Sequence, residues 1–181
     1  PEIELNIILE YNDLDLSMRE ADVAIRLTMP RQGDLIQRHL MNIQYGVYAS
    51  PEYIKNHGIP LTPEDLDDHK IVTFGEEVGD QTDLLPALNF LMEAGREKKG
   101  PRRPILKVNN IYGIYRAVRS GVGIGALPEY FIEHTSALVR LLPEMQSPDT
   151  DVYFVYPEEL RQSARIAVFR DFLLRKISET R

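Results

Sequence analysis

The sequence predicts an α/β fold in which parallel or mixed sheets are covered by helices. Three observations predict it. Short runs rich in Ile, Val and Tyr alternate along the chain with segments whose apolar residues recur at helical spacing. Ser-Pro, Thr-Pro and Asn-Asn pairs stand where helices would begin. Hydrophobic residues make up 43% of the 181, too many for a disordered chain and enough for a proper core.

Taken in order, residues 2–11 alternate apolar and polar and then run Ile7-Ile8-Leu9, the pattern of a half-buried strand. Asn12 and Asp13 mark a turn, residues 14–20 a short acidic helical turn, and residues 21–27 (ADVAIRL) a second strand. Residues 29–34 carry Pro30 and Gly33 and read as a loop. Residues 35–49 form a long extended stretch. Ser50 serves as N-cap, Pro51 fits the first helical position, Glu52 suits the positive helix start, and Gly58 fits the stop. Thr62-Pro63-Glu64-Asp65 repeats that device. Residues 70–74 predict a strand and residues 75–83 an acidic loop.

Leu85, Leu88, Leu91 and Met92 have helical spacing, so residues 85–94 predict a helix ended by Gly95. A basic run follows, with Arg96, Lys98, Lys99, Arg102 and Arg103, and without interleaved aromatics it reads as a solvated loop. Residues 105–108 predict a strand. Asn109 or Asn110 then caps a helix carrying Ile111, Ile114, Tyr115 and Val118 on one face, and Gly121 closes it. Residues 124–127 predict a small-residue strand, Pro128 opens a short helix, residues 152–156 predict a strand and residues 163–177 an amphipathic helix.

Composition excludes several function classes. With no cysteine there are no disulfides, thiolate metal sites or cysteine nucleophiles, and no thiol redox sensing by this stretch. A net charge of −7 argues against nucleic-acid binding as the chain's main activity. His39, His57, His69 and His134 are scattered without metal-ligand spacing, so no metal or cofactor is expected. No nucleophile–base set stands out, and no enzymatic activity is expected. No apolar run approaches the roughly 18 residues of a membrane-spanning helix.

Four segments in order carry a family resemblance: ADVAIRL at 21–27, YGVYASPEYIKNHGIPLTPEDLDDHKIVTF at 45–74, LKVNNIYGIYRAVRSGVGIGALPEYF at 106–131 and VYFVYPEELRQSARIAVFRDFLL at 152–174. Together they resemble the effector-binding (regulatory) domain of LysR-type transcriptional regulators. The resemblance implies two Rossmann-like lobes of the periplasmic-binding-protein type II kind with a cleft between them. Lobe I would hold residues 1–49 and 152–181, and lobe II residues 50–151. It implies a cytoplasmic, homo-oligomeric (dimer or tetramer) regulator whose DNA contacts belong to an N-terminal helix-turn-helix domain. A chain that opens at Pro1 and enters a strand at once reads as a fragment lacking that domain and the first strand and helix of lobe I.

Candidate effector contacts follow. Asn109 and Asn110 stand at a helix start, where free N–H groups favour an anionic or strongly polar group; plain capping is the compatible alternative. Arg26, at a strand's end, could grip a carboxylate or pair with Asp22 or Glu20. Thr73, Phe74 and Gly75 end another strand, on a loop where the resemblance implies effector contacts; a core Phe with a turn Gly is the alternative. Gly125 and Ala126 would let backbone approach a ligand, though the glycines around them also suit helix termination and close packing. Ser50 is explained nearly in full by its cap, with ligand contact as a second role. Two functions stand against each other: ligand sensing by a transcriptional regulator, in which a small polar or anionic effector between the lobes changes oligomer geometry on DNA, and solute binding for transport on the same architecture. The SPEY and VNNIYGIYRAV stretches favour the regulator.

Overall fold

The computed structural model describes residues 3–9, 14–29, 33–75, 85–97, 99–132 and 137–179. They form two compact units. One takes the described residues up to Asn42 and those from Thr150 onward, and the other takes those from Ile43 to Asp149.

In the first unit, β1 (Ala24–Arg26), β2 (Leu35–Ile43) and β8 (Thr150–Pro157) form a sheet in the order β1-β8-β2. β1 runs antiparallel to β8, with Ala24 opposite Val155 and Arg26 opposite Tyr153. Leu16, Leu35 and Val155 form a buried cluster beside the sheet. Helix α5 (Ala164–Glu179) turns its Ile166–Phe169 face inward, and the Phe169 ring meets that of Phe154 at 5.9 Å. Residues 14–20 form the expected turn, closed by Arg19 N–H on the Leu16 carbonyl.

The strand expected over residues 2–11 does not form across its described part. Residues 3–9 have no sheet pairing, and Leu5, Ile7, Ile8 and Leu9 are exposed. The alternation is a strand's, but a strand also needs a partner edge for its N–H and C=O groups, and here none is engaged.

The second unit is built on a five-stranded mixed sheet, as the α/β reading requires. Its strands are β3 (Tyr45–Ala49), β4 (Ile71–Phe74), β5 (Leu106–Val108), β6 (Ile124–Pro128) and β7 (Val139–Leu141), in the order β5-β4-β6-β3-β7. β4 is parallel to both β5 and β6, whereas β3 is antiparallel to β6 and β7. The sequence reading placed the first passage between lobes at residues 49–50 and the return near 151. In the structure β3 is a full member of this sheet, so the chain has already changed units by Ile43, and it changes back at Thr150.

Helices α1 (Pro51–His57), α3 (Ile111–Arg119) and the short α4 (Glu129–Ile132) are among those that flank these strands. α1 starts as predicted, with the Ser50 hydroxyl accepting the Tyr53 N–H at 3.1 Å. Tyr53 is buried, and its hydroxyl accepts the Lys70 N–H at 2.9 Å, tying α1 to the approach of β4. Burial of the Tyr53 phenol raises its pKa, and burial of the neighbouring His69 lowers that imidazole's.

Two expected helices take other forms. After Thr62-Pro63 the chain makes a 3-10 turn, Glu64–Asp68, without a Thr62 side-chain cap. The Asp65 carboxylate instead accepts the Leu61 and Thr62 N–H groups at 2.8 and 2.9 Å, and these bonds lower its pKa. The helix expected over 85–94 breaks at Asn89 into α2 (Leu85–Leu88) and a 3-10 turn, Phe90–Met92.

Helix α3 fits the expected pattern, with Ile114, Tyr115 and Val118 buried. Its approach to the sheet depends on two missing side chains. A Cβ on Gly125 of β6 would lie 2.6 Å from Val118 Cγ2 and 3.2 Å from Ile114 Cγ2, and one on Gly113 of α3 would lie 2.6 Å from Val108 Cγ1. Gly125→Ala should therefore overpack this layer and cost about 1–3 kcal/mol. Urea unfolding checks this: the midpoint falls with an unchanged slope, whereas a midpoint equal to wild type would contradict the packing account.

Candidate functional site

Parallel pairing of β4 and β5 sets Thr73 opposite Lys107 and Phe74 opposite Val108. Their carboxyl ends therefore emerge together. Gly75 N–H donates to the Val108 carbonyl at 3.1 Å, and a Cβ on Gly75 would lie 3.6 Å from the Asn109 backbone nitrogen. Next in line is the start of α3, where the Asn110 side chain accepts the Gly113 N–H at 3.1 Å. Phe74, Gly75, Asn109 and Asn110 thus meet at one end of the sheet. Asn110 performs the capping, which leaves Asn109, exposed beside it, as the side chain not needed for the helix. The α3 N-terminus offers main-chain donors and a positive dipole end at this point.

Side chains alternate faces along β4. Val72 lies opposite Gly125 and so shares the α3 face, which turns Thr73 and its partner Lys107 to the other side. There the structure holds a cavity of about 850 Å³ within the second unit. Thr73, Phe74, Asn89, Met92, Arg103 and Lys107 are among its lining residues. Its walls are mainly apolar, and Arg103 and Lys107 bring cationic groups to it.

Asn89 was not singled out from the sequence, yet it organises this region. Its Oδ1 accepts the Thr73 hydroxyl and, at 3.0 Å, the Phe74 N–H, while its Nδ2 donates to the Phe74 carbonyl at 3.3 Å. One amide thus satisfies both backbone groups of Phe74 in place of a neighbouring strand. Recruitment of this side chain accounts for the interruption between α2 and the 3-10 turn. Thr73 is a polar anchor on the cavity floor.

Two predicted contacts hold other posts. β3 runs antiparallel to β6, so Ser50 leaves the sheet at the end opposite to Phe74 and Asn109. It is buried as a helix cap there. Gly125 lies beneath Val118 and Ile114, where it admits the helix rather than a ligand. Arg26 belongs to the first unit. It is 4% exposed at the end of β1, and its Nη2 donates to the Leu14 carbonyl at 3.1 Å.

The basic run is only partly solvated: Lys99 and Arg103 are exposed, whereas Arg96 is half-buried and Arg102 buried. Arg102 is buried, and with Arg96 and Lys99 it converges on Asp67 at 2.8, 2.7 and 3.1 Å. Arg102 also donates to the carbonyls of Leu91, Ala94 and Pro63 at 2.7–2.8 Å, so one guanidinium stitches the far wall of the cavity to the Glu64–Asp68 turn. Lys98, His134 and the acidic loop from residue 76 lie outside the described residues. Among the described residues no group of three or more His, Asp or Glu could hold a metal ion, and no helix is long and apolar enough to cross a membrane.

Comparison with known proteins matches the LysR substrate-binding-domain family model over residues 1–178. The chain belongs to that family. Among its relatives is the HTH-type transcriptional regulator PtxR of Pseudomonas aeruginosa, 28% identical over 177 residues, covering 96% of this chain and 54% of the relative. The regulator CrgA of Neisseria meningitidis serogroup C is 28% identical over 181 residues, covering 98% of this chain and 58% of that one. The chain spans about half the length of the curated relatives it matches. The solved CrgA regulatory domain superposes with a TM-score of 0.74 at 27% identity, over 89% of this chain and 78% of that one. The AphB regulatory domain of Vibrio vulnificus shares the fold, with a TM-score of 0.67 at 24% identity over 96% and 83% of the two chains. The architecture is the type II periplasmic-binding-protein-like fold of these regulatory domains.

Asp67 gives this region a measurable acid dependence. Bonds from Lys99 and then Arg96 hold its carboxyl down to about 2, from an ordinary value of 3.8. A depressed carboxyl contributes stability above its unfolded pKa and loses it as pH falls through the folded value. Asp67→Asn should therefore be less stable than wild type at neutral pH, and the gap should close between about pH 4 and pH 2. Urea midpoints measured across that range check this, and a gap independent of pH would contradict it.

Proposed function

We propose that this chain is the ligand-sensing domain of a LysR-type transcriptional regulator. A small polar or anionic effector binds at the carboxyl ends of β4 and β5. The observation that carries the reading is the meeting of Phe74, Gly75, Asn109 and the capped start of α3 at one end of the sheet. Asn109 supplies a side-chain amide. The first N–H groups of α3 and the Phe74–Gly75 turn supply main-chain donors suited to a carboxylate or similar group.

Such a domain acts by binding its effector more tightly in one conformation than in another, since equal affinity would shift nothing. Arg, Asn and backbone donors bind and orient, and the proposal includes no bond-breaking step. Family membership and the regulator names of the relatives support sensing over transport. DNA contacts would lie in an N-terminal helix-turn-helix domain of the whole protein, which would work in the cytoplasm as a homo-oligomer.

Thermal unfolding against a panel of organic acids, amino acids and sugars tests the reading. A compound bound only by the native state at one hundred times its Kd adds about 2.7 kcal/mol. For a domain of this size that raises Tm by several degrees, at about 2–4 °C per kcal/mol. At least one anionic compound should give a concentration-dependent rise that Asn109→Ala abolishes without lowering the ligand-free Tm. A panel without any shift, or a shift that survives Asn109→Ala, would overturn the site.

A further inference from the structure

Tyr53 is buried in α1, and its hydroxyl has two partners. It accepts the Lys70 N–H at 2.9 Å and lies 3.2 Å from His69 Nδ1. Among the described residues these are its only hydrogen-bond partners. A buried phenol must also donate its own hydrogen, and the Lys70 N–H cannot receive it. His69 Nδ1 is therefore the acceptor, which requires a neutral imidazole with its hydrogen on Nε2. Lys70 extends the chain of contacts. Its carbonyl accepts the Ile124 N–H at 2.8 Å, so one residue links α1 to the start of both β4 and β6.

A second imidazole touches the same residue. His57 stacks on the Tyr53 ring at 4.3 Å, with 9° between the planes. Its Nδ1 lies 3.2 Å from the Tyr53 carbonyl, and a carbonyl only accepts, so His57 Nδ1 carries a hydrogen. Protonation of His57 keeps that bond, and a cation in the last turn of α1 suits the helix dipole. Protonation of His69 does the reverse. It places a hydrogen on Nδ1 and leaves the buried phenol hydrogen without an acceptor. The two histidines thus answer acid in opposite ways. Burial is the strongest influence on His69 and lowers its pKa. His57 on α1 adds to that effect, whereas Asp68 and Asp65 in the preceding turn oppose it. Lys70, on the approach to β4, meets the phenol through its backbone.

We propose that Tyr53 and His69 form a proton-operated latch between α1 and the start of β4. Neutral His69 holds it closed. In mild acid His69 takes up a proton, the phenol turns away, and the Lys70 N–H loses its acceptor. The backbone pairing of β4 with β5 and β6 does not pass through the phenol and stays intact. The native state binds fewer protons at His69 than the unfolded chain does. The latch therefore contributes fully above the ordinary imidazole value of 6.5 and is lost as pH falls below it. It stands at the Ser50 end of the sheet, away from Phe74 and Asn109, and rests on none of the sensing argument.

Amide hydrogen exchange on the effector-free protein tests the latch, with rates corrected for the intrinsic effect of pH. Protection of the Lys70 amide should fall about tenfold or more between about pH 7 and about pH 5, while Val72 and Ala126 stay within about twofold. His69→Gln offers a neutral acceptor at every pH and should abolish the fall. Tyr53→Phe removes the acceptor of the Lys70 N–H and should leave protection low at both values. His57→Gln should keep the response. Ring nitrogen chemical shifts of wild-type His69 need no variant, and near neutral pH they should place the hydrogen on Nε2. Equal Lys70 protection at the two pH values, or a fall that survives His69→Gln or spreads equally to Val72 and Ala126, would overturn the latch. So would high protection in Tyr53→Phe, loss of the response in His57→Gln, or a neutral His69 with its hydrogen on Nδ1. None of these outcomes bears on effector binding at β4 and β5.

Discussion

The close approach of α3 to the five-stranded sheet is the constraint on which the second unit depends. It is possible because Gly113 on the helix and Gly125 on the strand present no side chain where Val108 and Val118 press in. That contact fixes the helix axis, and the axis delivers the capped N-terminus to the end of β5. The parallel register of β4 and β5 then brings Gly75 to the same point. A helix held further off would leave Asn109 without its neighbours, and no polar corner would exist.

Around this layer the polar groups are placed by structure rather than by charge count. Asn89 stands in for a missing strand beside Phe74. Arg102 is buried because four acceptors, the Asp67 carboxylate and three carbonyls, meet its guanidinium. A net charge of −7 predicts neither arrangement. Both satisfy polar groups that would otherwise be buried without partners.

Local punctuation was legible. Ser50-Pro51 and Asn110 cap helices as their sequence context predicts, and the buried face of α3 is the one its spacing marks. The α/β alternation and the family resemblance were legible too, because both are carried by contiguous motifs. What was not legible depends on partners distant in sequence. Asn89 looked like an ordinary helix residue until Phe74, 15 residues away, claimed its amide. The basic run looked solvated because Asp67 lies 29 residues before Arg96. The cap at Ser50 was legible, but the end of the sheet at which it stands was not, because a strand's direction depends on its neighbours. Residues 3–9 carry a strand's pattern, but whether a partner edge is engaged is not written in the segment itself.

The central claim is that a small effector binds at the carboxyl ends of β4 and β5, beside the start of α3. Backbone amide chemical shifts recorded during titration with the anionic compound that most raises Tm test it most directly. The account predicts that the largest changes fall on residues 73–75 and 109–113, with residues 50–53 at the other end of the sheet unmoved. Changes centred on Ser50 and Tyr53, with Gly75 and Asn109 silent, would contradict it.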